Sequence, residues 1–438
     1  MTRILLASLL LASAAPAIAR DTARPQMVDY VVRKGDTLYT LADRYLQRQS
    51  DHMMVGRINR IADPYRLPTG KVLHIPRALL REEAVSARIE AFSGPVRIEA
   101  GGRSGAPLVG MLATETSRIV TGANAFVTLR LADGSTVSIP SQSRVTIGRM
   151  RKVILTGSIE RRFEVEAGRV RTAVTPMKSD DSSFHVVTPV AVAAVRGTEF
   201  QIGYDSDRQA ETAEVLQGKV AVGTAATGSS VLVPAGFGTV TTPAGAATPV
   251  KLLPAPALDN PGRVQNDREL SFAIKLAADA TGYHVEVAHD GDLLDRIAEV
   301  RSPTPAATLP SIPAGTYFVR ISAIDANGLE GLPAIYGFER RLNRVEGSME
   351  TSRSRHMRRY QFRWYSEGDG AKQYRFQLST QPDGSAPIID EAGLAATQIA
   401  VTNLPGGDYY WRVMSVQFAD GKAYGAWMPL HHFHIATR

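Results

Sequence analysis

From Phe126 onward the sequence is written in short runs whose apolar residues alternate with polar ones. Phe126-Val127-Thr128-Leu129-Arg130-Leu131 is followed by Asp133-Gly134 and then by Thr136-Val137-Ser138-Ile139. Side chains alternate faces along a strand, so a period of two fits half-buried strands. Asp-Gly between two such runs signals a tight hairpin. Residues 145–147, 163–165, 170–174, 184–188, 200–202, 213–216 and 220–222 follow the same rule. Many short strands with glycine turns and no helical period predict an all-β body.

The 438 residues leave room for three or four domains. Apolar residues make up 44% and charged ones 21%, an ordinary globular composition. Fifty Lys and Arg against 43 Asp and Glu give a formal +7. That excess is too diffuse for a nucleic-acid footprint and suits an anionic envelope polymer. With no cysteine, disulfides, thiolate metal sites and lipid anchoring through cysteine are excluded. Arg3, the apolar run Ile4 to Ala12 and Ala17-Ile18-Ala19 read as a cleavable signal peptide over residues 1–19. The run is shorter than the roughly 20 residues that span a bilayer. The expectation is a mature chain starting near Arg20, without a transmembrane segment, in the periplasm or cell envelope of a bacterium.

Residues 28–77 have a different texture. Residues 28–33 read as a strand. Gly35-Asp36 turns the chain, with Asp36 placed to cap a helix that carries Leu38, Leu41, Ala42 and Tyr45 on one face. Asp51 is placed to cap a second helix with Met54, Val55 and Ile58. Pro64, Pro68 and Gly70 mark a loop, and residues 72–76 read as a closing strand.

The opening Tyr30-Val31-Val32-Arg33-Lys34-Gly35-Asp36-Thr37-Leu38 and the ending from Asn59-Arg60-Ile61 through Val72-Leu73-His74-Ile75-Pro76 resemble the two ends of a LysM module. The resemblance implies binding to peptidoglycan through its N-acetylglucosamine units, in a groove between two loops. It places Gly35, Asp36, Thr37 and Leu38 on one wall, and Asn59, Ile61, Asp63, Pro64, Leu67 and Pro68 on the other. A plain structural reading stands beside it: Leu38, Ile61 and Leu67 as core, and Asp36 as a helix cap.

Within residues 88–242, Ile119-Val120-Thr121-Gly122-Ala123, Val165-Glu166-Ala167-Gly168-Arg169-Val170 and Thr188-Pro189 followed by Val195-Arg196-Gly197-Thr198-Glu199-Phe200 resemble the FecR domain. The resemblance implies a protein-contact or structural module, and the expected fold for it is a solenoid-like all-β body. A cytoplasmic sigma-binding region and an internal membrane helix are lacking, so the family's relay role does not carry over with it. Arg196 reads as turn chemistry beside Gly197.

Residues 243–262, rich in Pro, Ala, Gly and Thr, read as a linker. A repeat follows. Tyr283-His284-Val285-Glu286-Val287 parallels Tyr374-Arg375-Phe376-Gln377-Leu378, and Gly315-Thr316-Tyr317 parallels Gly407-Asp408-Tyr409. The spacing matches an immunoglobulin-like sandwich of about 100 residues. The copies, 263–342 and a divergent 343–436, resemble fibronectin type III domains. Alternation sends His432 and His434 to one face and His431 to the other, which argues against a metal site. The basic run Arg353, Arg355, His356, Arg358 and Arg359 reads as a solvated edge.

The predicted fold is mainly β: a small βααβ LysM module, a FecR-like all-β body and two sandwiches. No catalytic or cofactor motif is present. The expected function is a non-enzymatic, peptidoglycan-binding envelope protein whose β-body contacts an envelope or inner-membrane protein. Two alternatives remain: the periplasmic part of a transmembrane signalling system, or a cell-wall hydrolase with an unrecognised active site.

Overall fold

A computed structural model describes residues 26–177, 179, 181–224, 230–353 and 357–436. The signal-peptide segment, with Arg355 and His356 of the basic run, lies outside them. The chain divides into two compact units. One holds the residues up to Glu83 together with Lys152–Gly157. The other holds Ala84–Arg151 and the chain from Ser158 onward.

In the first unit, strand β1 (Met27–Val31) pairs antiparallel with β2 (Val72–Pro76), and helices α1 (Leu38–Tyr45) and α2 (His52–Ile58) lie between them in sequence. Alternation buries Val28 and Tyr30 from one strand and Leu73 and Ile75 from the other. Helix α1 is capped one residue later than the sequence suggested. The Thr37 hydroxyl accepts the Thr40 N–H, and the Thr40 hydroxyl accepts the Thr37 N–H, a reciprocal capping box. Asp36 instead turns inward and accepts from the Tyr30 hydroxyl and the Arg33 N–H, both at 2.7 Å. Asp51 likewise accepts the Arg48 N–H and leaves α2 without a side-chain cap.

Helix α1 buries Leu38, Leu41 and Ala42 as its periodicity requires. Helix α2 buries Val55 and Gly56, while Met54 and Ile58 face outward, contrary to their sequence reading. A Cβ on Gly56 would lie 3.0 Å from Leu38 Cδ1, so a larger residue there would press on the buried Leu38 side chain. Leu46, Leu80 and Val153 complete this core.

In the second unit, residues 84–251 form the β-body. The chain crosses back and forth between two faces, and the strand pairings close as a barrel. Residues 163–165 and all but the last of residues 170–174, which read as two runs, belong to one long strand, Ile159–Ala173. Its first part pairs in parallel with Ser183–Val187, and its second part pairs antiparallel with Glu199–Asp205. The transfer from one face to the other falls near Gly168, whose φ is +80°. A Cβ there would meet Ser143 Oγ at 2.4 Å and Gln142 O at 2.6 Å. Gly168→Ala is therefore expected to cost about 2 kcal/mol of stability, read as a shifted urea midpoint. A loss below about 0.5 kcal/mol, the level of an ordinary surface change, would contradict this account. Residues 245–246 and 250–251 add two short strands to Phe237–Thr242. The Pro/Ala/Gly/Thr-rich stretch is thus partly woven into the body.

Two sandwiches follow. In the first, Arg296–Ser302, Gly282–Ala288, Gly315–Ile324 and Ala334–Arg340 form one sheet in that order, and Leu270–Ala273 pairs with Ala306–Leu309. In the second, Val345–Arg353, Arg358–Ser366 and Gln398–Thr402 form a three-stranded sheet. Ile389–Leu394, Ala371–Ser379, Gly407–Ala419 and Lys422–Trp427 form another, which His431–Ile435 extends. The repeated tyrosines do the same work in both. The Tyr317 hydroxyl donates to Pro313 O at 3.1 Å, and the Tyr409 hydroxyl donates to Pro405 O at 3.0 Å. Each hydroxyl reaches back to the backbone four residues upstream, as in sandwiches with a tyrosine corner.

Candidate functional site

Two loops of the first unit carry the residues singled out for sugar contact. They are tied together, because the Leu38 N–H donates to Pro64 O at 2.9 Å. Gly35 takes φ +90° with open space beside it. Thr37 and Pro64 are half-buried, and Asp63 and Pro68 are exposed. Other members turn inward. Leu38 and Asp36 are buried, and Ile61 and Leu67 pack on the rim of the core. The Asn59 side chain is fully engaged. Its amide donates to Val55 O and His74 O, and its carbonyl accepts the His74 N–H at 2.7 Å. It therefore ties α2 to β2 and has no amide N–H left to donate to a sugar.

Three aromatic rings beside these loops were missed in the sequence. Tyr39 stacks on Tyr65 with ring centroids 4.7 Å apart, and His52 lies 4.3 Å from Tyr39 on centroids. Tyr65 is 65% exposed. Tyr39 falls off the apolar face of α1 and Tyr65 sits in a loop, so periodicity said nothing about either. Together they give the loop pair a flat aromatic surface with polar edges, suited to the C–H face of a sugar ring.

The second concentration of chemistry lies inside the second unit. Strand Gly282–Ala288 is buried along its whole length. Tyr283, Val285 and Val287 enter the sandwich core. His284 and Glu286 point the other way, as alternation demands, toward the β-body. Glu286 takes both Nη atoms of Arg171 at 3.1 and 3.0 Å, Arg320 Nη1 at 3.1 Å and Arg296 Nη1 at 3.3 Å. Glu330 faces His284 Nδ1 at 3.1 Å, Arg169 Nη1 at 3.0 Å and Arg301. Glu299 sits 3.1 Å from His284 Nε2 and accepts from the Ser141 hydroxyl. Glu214 lies 3.7 Å from Arg169 and accepts the Glu330 N–H.

Buried charges survive only when paired, and the titration of these groups follows their partners. Burial opposes ionisation of Glu286, but Arg171, Arg296 and His284 pull it down to about 2. Burial alone would lower His284, but Glu330 and Glu286 hold it up at about 9. Burial raises Glu214 to about 7, with Arg169 opposing and Glu330 assisting. Burial also presses Arg296 down to about 10, although Glu286 resists. Among the described residues, His284, Glu286 and Glu299 lie close enough to share an ion. Guanidinium groups already surround Glu286, so a further cation there would meet repulsion.

The terminal histidines separate as their alternation predicted. His432 Nε2 and His434 Nδ1 each lie 2.9 Å from Asp408 Oδ1, and His431 packs against Trp411. Asp408 comes from the neighbouring strand, a carboxylate the linear spacing did not offer. In the basic run, Arg353 and Arg358 are paired residues of a hairpin. Arg196 is exposed beside Gly197, whose φ is +68°.

Three solved structures are similar to parts of the chain. One is a candidate anti-sigma factor from Parabacteroides distasonis, 20% identical, with a TM-score of 0.25 over 31% of this chain and 59% of that one. The chain thus spans about three fifths of that protein's resolved length. A two-domain fibronectin type III segment of chicken tenascin is 14% identical over 41% of this chain and 99% of that one, with a TM-score of 0.20. Fibronectin(III)-like modules of CbhA from Clostridium thermocellum are 12% identical over 42% and 94%, also with a TM-score of 0.20. None of the curated proteins matches. Two family models do match, and the chain carries a LysM domain at residues 30–76 and a FecR protein domain at residues 117–221.

Proposed function

We propose that this protein is a non-enzymatic envelope component. Its LysM domain holds peptidoglycan through N-acetylglucosamine units, and its β-body and sandwiches meet an envelope or inner-membrane protein. The observation that carries the reading is the LysM match at residues 30–76. The tied loops and the Tyr39–Tyr65 stack support it as a surface for a sugar ring. In this reading Gly35, Thr37, Asp63, Pro64 and Pro68 supply contacts, while Asp36, Leu38, Asn59, Ile61 and Leu67 hold the loops in shape. Export to the periplasm agrees with the sequence of residues 1–19. Among the described residues no helix is long and apolar enough to cross a membrane.

The FecR match favours a second reading, in which the β-body is the periplasmic part of a signalling system. A membrane receptor co-purifying with the chain would support it.

The test is co-sedimentation with purified peptidoglycan, with the supernatant assayed for released sugar. The double variant Tyr39→Ala/Tyr65→Ala is expected to weaken binding about tenfold, the equivalent of ~1.4 kcal/mol. Unchanged binding would remove the aromatic surface from the site. Released fragments would overturn the non-enzymatic reading.

A further inference from the structure

The charge layer is unbalanced, and the imbalance opens onto a cleft. Its six cationic groups are Arg169, Arg171, His284, Arg296, Arg301 and Arg320. Its four carboxylates are Glu214, Glu286, Glu299 and Glu330. The carboxylates of Glu286 and Glu330 each serve three cations. Beside the layer lies a cavity of about 390 Å³, lined by Arg169, Arg171, His284 and Arg301 but by only one of the carboxylates, Glu299. A second cavity of about 300 Å³ shares Arg169 and Arg301 and adds Arg208 together with one carboxylate, Asp205.

Hydrogen-bond donors in the first cavity are also left over. Gln201 is 5% exposed and gives its carbonyl to Arg171 at 3.0 Å, which leaves its amide Nε2 without an acceptor. Arg171 Nε is likewise buried without one. Buried donors with no acceptor are rare in folded proteins. Glu214 Oε2 and Glu330 Oε2 are buried without a hydrogen-bond partner as well, but neither residue lines the first cavity, whereas Gln201 and Arg171 both do.

We propose that this cleft between the β-body and the first sandwich binds a small molecule with an oxyanion headgroup, a carboxylate or a phosphate. Guanidinium groups and amide N–H groups are donors only, and they match such a headgroup in charge and geometry. The anion supplies the negative charge that the layer lacks. Because residues from both the β-body and the sandwich line the space, its occupancy strengthens their contact. This site is independent of the LysM domain.

The full chain would be titrated with inorganic phosphate and, separately, with succinate at pH 7, with chloride holding ionic strength constant. Thermal unfolding and calorimetry would be the readouts. At least one of the two is expected to bind and raise the midpoint above the chloride control. A response to phosphate alone or to succinate alone assigns the headgroup. Arg301→Gln is expected to weaken binding about tenfold. Gln142→Glu places a carboxylate at an exposed position on the cleft wall. It is expected to raise the midpoint without added anion and to weaken anion binding about tenfold. If Arg301→Gln does not fold, Gln142→Glu decides alone. No response to either anion, or a response unchanged in Gln142→Glu, overturns the proposal.

Discussion

Glu286→Gln is expected to destabilise the second unit by about 3–5 kcal/mol, the usual cost of removing one partner from a buried ion pair. The substitution keeps the size of the side chain and removes only its charge. Arg171, Arg296 and Arg320 would then share a neutral amide in a place where water cannot replace the lost anion. Urea denaturation followed by far-UV circular dichroism gives the number. The double variant Glu286→Gln/Arg320→Met is expected to recover part of the loss, because one surplus guanidinium leaves with it. A loss under 1 kcal/mol in the single variant would mean that Glu286 is not the anion on which the three arginines depend.

Stability is expected to peak in weakly acidic solution and to fall on both sides. Glu286, at about 2, and Glu330, well below its ordinary value, have lower pKa values in the fold than in the open chain. Their contribution is present above pH ~4.5 and is lost as pH falls toward 2. His284 is raised from 6.5 to about 9. Its contribution is complete below pH ~6.5 and is lost as pH rises through 9, on the order of 3 kcal/mol. Glu214 and Glu211, both raised by burial to about 7, add an opposing cost that grows from pH ~4.5 to 7. Urea midpoints measured from pH 3 to 9.5 should trace this profile. His284→Gln should flatten its alkaline limb. A wild-type midpoint that stays level between pH 6.5 and 9.5 would remove His284 from the account.

The strands were legible because a period of two survives in almost any β environment. What the period cannot say is whether the polar face of a strand is wet. Tyr283-His284-Val285-Glu286-Val287 reads as an ordinary sandwich strand with one solvated side. That side is buried instead, and its partners Arg169 and Arg171 stand more than a hundred residues earlier in the chain. Near misses have local causes. Asp36 and Thr37 are both good capping residues, and the inward pull of the Tyr30 hydroxyl and the Arg33 N–H on Asp36 separates their roles. Gly168 reads as a break between strands because glycine usually ends them. Here its positive φ lets one strand serve two faces. The aromatic pair beside the LysM loops was invisible because two tyrosines far apart in sequence carry no shared period.

The core of the LysM-containing unit includes Val153, a residue that belongs to a much later stretch of the chain. An exported chain enters the compartment where it folds N-terminus first, so the wall that Val153 fills stays open until residues 77–152 have followed Pro76 across the membrane. An emerging chain passes through an interval in which its first module has both strands and both helices but an unfinished interior. Slowing translocation between residues 77 and 152 would lengthen that interval, and with it the time available to a periplasmic protease or chaperone.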